Sequence, residues 1–198
     1  RADNAVLLRE GATAEISGVV ERDDATVIAT FPEIAQSRTG EALVAGEVVV
    51  LVALPRPTGG FVNATVRGVQ MASFEARPDV QIVEGRAPRP GTNEIVIGSG
   101  LVGRFEGAFV GGELELARAR WPVVGRMVAN GGAFESELWA DRDKIARAYE
   151  RTAFSSILVA LRSRGQFDDL KARVEGDRRF SLKVEREDVY WADAASGT

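Results

Sequence analysis

Short apolar runs separated by turn residues dominate the hydrophobic pattern of the chain, and they predict a protein rich in strands. Leu43 to Leu54 is almost continuously apolar and rich in valine, which indicates a strand covered on both faces. After a Pro- and Gly-containing turn, Phe61 to Val69 alternates apolar with polar side chains, which indicates a strand with one wet face. These two strands are predicted to form a hairpin.

The segment before this hairpin carries one strand pattern and two short helical patterns. Asn4 to Leu8 is an apolar run that predicts an opening strand. Thr13 to Val20 is typical of a short helix that ends near Gly18. Asp23 is the predicted N-cap of a second helix, and Pro32 either ends that helix or forces a turn.

The last third of the chain repeats this mixture of strands and helices. Phe134 to Trp139 alternates and is predicted to be extended, and Asp141 is predicted to cap a helix through Tyr149. Phe154 to Arg162 predicts a strand, and Phe180 to Val184 predicts the last one. A helix is predicted between these two strands. Ser163 and Gln166 have the spacing of a capping box, the buried stripe is Phe167, Leu170 and Val174, and Gly176 ends the helix.

Between these outer parts lies a compact, mostly β segment from Val80 to Val128. Its predicted strands are Val80 to Val83, Glu94 to Ile97, Glu113 to Leu116 and Trp121 to Val128. A short helix to Phe105 is predicted after the second of these strands, and glycine-containing turns separate the others.

The order of strands and glycine-containing turns in this central segment is similar to that of a known family. A Gly-Arg pair follows the first strand, and the later landmarks are Val96-Ile97-Gly98, Val110-Gly111-Gly112 and Val123-Val124-Gly125. This order resembles the extracytoplasmic core domain of MacB/FtsX-type ABC-transporter permeases. Gly112 departs from the family pattern, which often has an acidic residue there. The outer segments FESELWAD, FSSILVALRS and EREDVYWAD also look like the corresponding segments of that family.

The resemblance implies an α+β fold of two subdomains. Residues 1–70 and 131–198 would form a porter-like layer of two βα-type halves. Residues 71–130 would form a small, mostly β, Sabre-like subdomain inserted into that layer. The element order of the outer segments agrees with this division, although no internal sequence repeat accompanies it.

Composition narrows the class of protein. The 198 residues are 45% hydrophobic and 27% charged, which is typical of a globular domain. The 25 basic and 29 acidic residues give a net charge of −4, which disfavours a nucleic-acid surface. The longest apolar run, Val48 to Leu54, is far shorter than the roughly 20 residues that span a bilayer. The chain begins at Arg1, which suits a domain cut from between two transmembrane helices.

The absence of histidine and cysteine removes most enzymatic chemistry. Serine and cysteine nucleophile systems that use histidine, and the common zinc sites, cannot be built. Pairs of carboxylates remain possible. Residues that are two apart on a strand point to the same face, so Glu135 and Glu137 are the pair that could converge in a hydrolase or hold a divalent cation. We expect solvated faces for these acidic groups, namely Asp23 with Asp24, Glu135 with Glu137, Asp168 with Asp169, and Glu185 with Glu187 and Asp188.

The Gly98 to Gly103 stretch spells GxGxxG, the pattern of dinucleotide-binding loops. A dinucleotide fold needs a crossover unit of about 30 residues, and the predicted helix here is far too short. We therefore interpret Gly98 as the end of a strand. The sequence points to no catalytic, cofactor-binding or metal-binding residue.

Tryptophans are the remaining candidates for contacts with a partner. Trp121 is predicted to be packed in the core. Trp191, in the acidic C-terminal stretch, has two open interpretations, namely core packing or a position at a membrane interface.

The resemblance implies the extracytoplasmic domain of an ABC-transporter permease subunit in a bacterial cytoplasmic membrane. It would pass ATP-driven motion of the transmembrane helices to a periplasmic substrate or partner, with ATP hydrolysis in a separate cytoplasmic ATPase subunit. A second permease copy and a periplasmic protein are the other implied partners. A free-standing periplasmic binding or adaptor module stays open as an alternative, and a carboxylate-based hydrolase is a third hypothesis.

Overall fold

The structure is a computed structural model that describes residues 3–196, and within that range it contains ten strands and five α-helices. The strands are β1 (Asn4–Arg9), β2 (Val44–Pro55), β3 (Phe61–Val69), β4 (Gln81–Gly85), β5 (Ile95–Gly98), β6 (Glu113–Leu116), β7 (Ala119–Val128), β8 (Glu137–Asp141), β9 (Ser156–Ala160) and β10 (Leu182–Arg186). The α-helices are α1 (Arg22–Ile28), α2 (Met71–Ala76), α3 (Arg142–Ala148), α4 (Phe167–Glu175) and α5 (Glu187–Ser196).

The chain divides into two compact units. Within the described range, unit 1 comprises residues 3–47, 70–78 and 153–196, and unit 2 comprises Val48–Val69 and Asp79–Thr152. Strand β2 contributes to both units, because its first residues pair with β9 and its later residues pair with β3.

Unit 1 is built on an antiparallel sheet in the order β10, β1, β9, β2. All of β9 is buried, and so is β1 apart from its last residue, which shows that both faces of this sheet are covered. On one face Val6, Leu8 and Leu158 pack with Ala76 at the end of α2 and with Tyr190 of α5. Helix α4 packs against β10 and buries the predicted stripe, Phe167, Leu170 and Val174.

Unit 2 is built on a mixed sheet in the order β2, β3, β8, β5, β7, β4, with β6 paired to the first half of β7. The β3–β8 and β5–β7 pairs are parallel, and the others are antiparallel. The predicted β2–β3 hairpin is confirmed, with Val50 opposite Val66. Helix α3 packs on β3, and its predicted N-cap is confirmed because the Asp141 carboxylate accepts a hydrogen bond from the Lys144 backbone N–H at 3.1 Å.

The mixed α and β fold class is confirmed, whereas several helices differ from the sequence pattern. The helix predicted up to Phe105 is only a 3-10 turn over Ser99–Leu101, and the one predicted near Gly18 is a 3-10 turn over Glu15–Ser17. The helix with Asp23 as its predicted N-cap begins two residues earlier, because the observed N-cap is Glu21, which makes no side-chain capping bond. Glycines lie within or beside both 3-10 turns, and they disfavour a longer α-helix there.

Two α-helices were missed by the sequence pattern. Helix α2 has six residues, which is too short to show a helical period, and it belongs to unit 1. Helix α5 spreads its apolar residues around its circumference instead of along one stripe.

The boundaries of the two units differ from those of the predicted subdomains. Residues 48–69 and 131–152 were grouped with the outer layer, but β3 pairs with β8 and β8 pairs with β5, so these residues lie with the central segment in unit 2. The assignment of a porter-like layer and a Sabre-like insertion concerns the subdomains of a family, and it stays a prediction.

Candidate functional site

A buried ionic cluster joins four segments of unit 1. Arg77, which follows α2, donates from Nη1 and Nη2 to the Glu47 carboxylate of β2 at 2.8 and 3.1 Å. Its Nε donates to Glu187, the first residue of α5, at 2.9 Å. Asn4 of β1 donates from Nδ2 to the Glu187 carboxylate at 3.1 Å and to the Ala76 backbone carbonyl at 2.7 Å.

The geometry of this cluster fixes α5 against the sheet. One guanidinium bridges two carboxylates, and all four residues are at most 3% exposed. Buried ions must be paired, since removal of one partner leaves an uncompensated charge in a low-dielectric interior. Tyr190, one turn further along α5, adds a contact because its hydroxyl accepts a hydrogen bond from the Glu15 backbone N–H at 3.2 Å.

Unit 2 holds a second buried ionic cluster of different composition. Arg67 of β3 binds the Glu137 carboxylate of β8 through Nε at 2.8 Å and Nη2 at 3.0 Å. Trp139 donates from Nε1 to the same carboxylate at 2.9 Å. The Arg67 guanidinium also lies 5.4 Å from the centre of the Phe134 ring. The hydrogen bonds of this cluster therefore link β3 to β8, which are paired in parallel.

Glu135 and Glu137, the acidic pair that could converge, have separate hydrogen-bond partners in the structure. Glu137 is buried on Arg67, whereas Glu135 lies in a 3-10 turn and accepts hydrogen bonds from the backbone N–H groups of Ala129 and Gly131 at 2.8 and 2.6 Å. Those bonds stabilise the ionised form and lower the pKa of Glu135. Among residues 3–196, no three acidic side chains come together as a metal site.

The expectation that all these acidic residues are solvated was wrong for two of them. Glu137 is 5% exposed and Glu187 is 3% exposed, and each has a buried arginine as partner. Sequence spacing could not reveal this, because the arginines that neutralise them lie 70 and 110 residues away.

The GSGLVG stretch has no dinucleotide-binding geometry in the structure. Gly98 ends β5, and only a 3-10 turn follows it. A Cβ at Gly98 would lie 2.3 Å from the Glu135 backbone carbonyl, so this glycine allows two backbone segments to meet. The interpretation of Gly98 as a strand end is confirmed.

Two glycines of the family-like pattern lie opposite each other in the β4–β7 pair. Gly85 pairs with Gly125, and Gly85 has a φ of 71°, which favours glycine. A Cβ on Gly125 would lie 2.2 Å from the Arg86 carbonyl oxygen. The Arg86 side chain next to this pair binds the Glu94 carboxylate, and those hydrogen bonds are the main reason that the pKa of Glu94 falls to about 2. The Arg89 backbone N–H also donates to Glu94, at 2.9 Å.

The tryptophans lie in packed environments. Trp121 is 1% exposed and donates from Nε1 to the Leu116 carbonyl at 3.1 Å, as the core prediction requires. Trp191 is half-buried and packs against the core cluster that contains Val6 and Leu8. Its ring lies edge-on to the Tyr190 ring, with 5.1 Å between the two ring centroids. Core packing therefore accounts for part of its surface.

No helix within residues 3–196 is long and apolar enough to cross a bilayer.

Comparisons with solved structures identify the fold. The extracellular domain of the ABC-type transporter YknZ from Gram-positive bacteria has a TM-score of 0.64 and 12% identity, over 92% of this chain and 99% of that chain. The periplasmic region of MacB from Actinobacillus actinomycetemcomitans has a TM-score of 0.66 and 11% identity, over 99% of this chain and 94% of that chain. The chain has the fold of these permease domains.

Further comparisons agree with that fold or are negative. A domain ascribed to a permease of Porphyromonas gingivalis has a TM-score of 0.55 and 10% identity, over 93% of this chain and 88% of that chain. No protein-family model matches the sequence, and no curated protein matches it. The resemblance drawn from the sequence pattern is therefore confirmed by structure at a level of sequence identity where the fold alone is shared.

Proposed function

We propose that this chain is the extracytoplasmic domain of an ABC-transporter permease subunit of the MacB/FtsX type. The observation that supports the proposal is the extent of the structural match. The alignments with the MacB and YknZ domains cover at least 92% of this chain and at least 92% of each of those chains. The likeness therefore extends over whole domains, and both of those domains lie outside the membrane in their own transporters.

The proposed role is mechanical. The described residues contain neither a histidine nor a cysteine, and their acidic residues form no converging metal site. In this role ATP is hydrolysed in a separate cytoplasmic ATPase subunit, and the domain passes the resulting motion to a substrate or protein partner outside the membrane. The permease works as a pair of copies in the bacterial cytoplasmic membrane, with this domain on its outer side.

Helix α5 is the element suited to receive such motion. Its first residue is fixed through Arg77 to β2 and through Asn4 to β1, and Tyr190 is bonded to the Glu15 backbone. Because these bonds are short and buried, a displacement of α5 acts on the unit 1 sheet instead of being lost in a loose connection. The same buried bonds support a passive, non-enzymatic role for Glu187.

The full-length gene tests the proposal. We expect an apolar segment of about 20 residues just upstream of Arg1 and a second one that begins within about ten residues after Thr198. A full-length gene that lacks both segments would contradict the permease role, and it would favour a free-standing periplasmic binding or adaptor module.

A further inference from the structure

A pocket of about 450 Å³ lies in unit 2, between the turn of the β2–β3 hairpin and the loop that follows β5. The residues that line it are Arg56, Pro57, Thr58, Val62, Gly103 and Arg104. Its two charged lining residues are thus both arginines, one from each loop, in a protein whose net charge is −4.

Backbone hydrogen bonds hold the two loops in place. The hairpin turn is closed by the Arg56 N–H, which donates to the Gly60 carbonyl at 2.9 Å. The second loop is closed by the Gly103 N–H, which donates to the Ala108 carbonyl at 2.9 Å. The Glu106 N–H donates to the Pro55 carbonyl at 2.9 Å and so joins one loop to the other. The two arginines therefore project from a pre-organised backbone.

Neither arginine of the pocket is neutralised within the described residues. Both side chains are exposed, and no carboxylate of residues 3–196 lies within 4.0 Å of either guanidinium, the nearby Glu106 included. Other arginines of unit 2 differ, since Arg86 is paired with Glu94 and Arg126 with Glu84. The charge of the pocket is thus available to a ligand.

We propose that this pocket binds a phosphate group, supplied by a soluble phosphate compound or by a phospholipid headgroup. A planar carboxylate is satisfied by one guanidinium fork, whereas a tetrahedral phosphate presents oxygens to two forks that approach from different loops. The Thr58 hydroxyl is a further donor on the hairpin side, and Pro57 with Val62 supplies apolar surface beside the anion. This inference does not depend on the proposed transport role.

Titration of the 198-residue chain with sodium phosphate, followed by NMR at the Gly103 amide and the arginine side chains, tests the pocket. Sodium chloride of matched ionic strength is the ion control. We expect saturable shifts with phosphate and none with chloride, and Arg56→Gln and Arg104→Gln should each weaken binding about tenfold. Arg118→Gln is the matched variant, because Arg118 is an exposed arginine of the same unit with the same charge change and lies outside the pocket.

The result that overturns the proposal is equal affinity in wild type and in the Arg56→Gln, Arg104→Gln double variant, or an equal loss in Arg118→Gln. Absence of a phosphate-specific shift also overturns it. Sedimentation with phosphatidylglycerol vesicles, against phosphatidylcholine vesicles, distinguishes the two sources. Binding to phosphatidylglycerol that the double variant loses indicates a lipid headgroup, and a phosphate response without vesicle binding indicates a soluble phosphate compound.

Discussion

Arg67 and Arg77 are at most 3% exposed, and each is bound to a carboxylate that is also buried. Such pairs contribute little net stability compared with a well-packed apolar replacement, because both ions must be desolvated. Their removal one partner at a time is costly for the same reason. At the residue scale, these arginines therefore fix which segments meet more than they add to the free energy of unfolding.

The Arg77→Met variant tests this view. We expect the free energy of unfolding to fall by about 3 to 5 kcal/mol, because Glu47 and Glu187 would keep their buried position and lose their counter-ion. Urea denaturation followed by circular dichroism measures the change. The matched control is Arg164→Met in the same unit, whose pairing with Asp188 at 3.4 Å is exposed, and it should cost less than about 1 kcal/mol. Equal losses in the two variants would show that the buried cluster has no special role.

At the scale of elements, α4 is the helix whose sequence pattern and packing agree best. Phe167, Leu170 and Val174 recur at helical spacing, and all three are buried where α4 packs on β10. The predicted capping box is different in the structure, since Ser163 makes no side-chain capping bond and a 3-10 turn over Arg164–Gln166 precedes the helix. Packing of the stripe therefore stabilises α4 more than its cap does.

Leu170→Ala measures that packing. Leu170 is fully buried at the middle of the stripe, so we expect a loss of about 2 to 5 kcal/mol from lost transfer energy and the cavity left behind. Asp168→Ala, an exposed position of the same helix, should change stability by less than about 1 kcal/mol. Thermal and urea unfolding of both variants gives the comparison, and a loss below about 1 kcal/mol for Leu170→Ala would show that α4 is loosely attached.

At the scale of the whole molecule, the two units of the structure and the two subdomains predicted from the sequence differ in where they assign β3 and β8. The contact pattern groups both strands with β5 in unit 2, through the Val66–Leu138 and Ile97–Leu138 register pairs. The division inferred from the family resemblance groups β3 and β8 with the outer segments instead. Strands that share a core lose protection together when that core is weakened.

Amide hydrogen exchange on Ile97→Ala separates the two divisions. Ile97 is fully buried in β5, so we expect the variant to lower protection at Val66 and Leu138 and to leave Val6 to Leu8 unchanged. Leu170→Ala is the reciprocal variant and should lower protection at Val6 to Leu8. Unchanged protection at Val66 and Leu138 in Ile97→Ala would favour the division with residues 71–130 as the inserted subdomain.

The sequence by itself determined the elements whose signal is local. The apolar run of β2, the alternation of β3 and the stripe of α4 are written in the spacing of neighbouring side chains, so they were predicted near their observed bounds. Gly85, Gly98 and Gly125 were recognised because glycines between apolar runs mark turns and strand ends in the local sequence. The close backbone approaches that these glycines allow are seen only in the structure.

Only the tertiary structure decided the features that depend on distant partners. The burial of Glu137 and Glu187, the parallel pairing of β3 with β8 and the joining of α2 to unit 1 all depend on residues far away along the chain. The pocket with Arg56 and Arg104 likewise forms from two loops that are 48 residues apart in the sequence. A charged residue has the same local pattern whether water or a distant counter-ion solvates it, and therefore only the folded chain distinguishes the two.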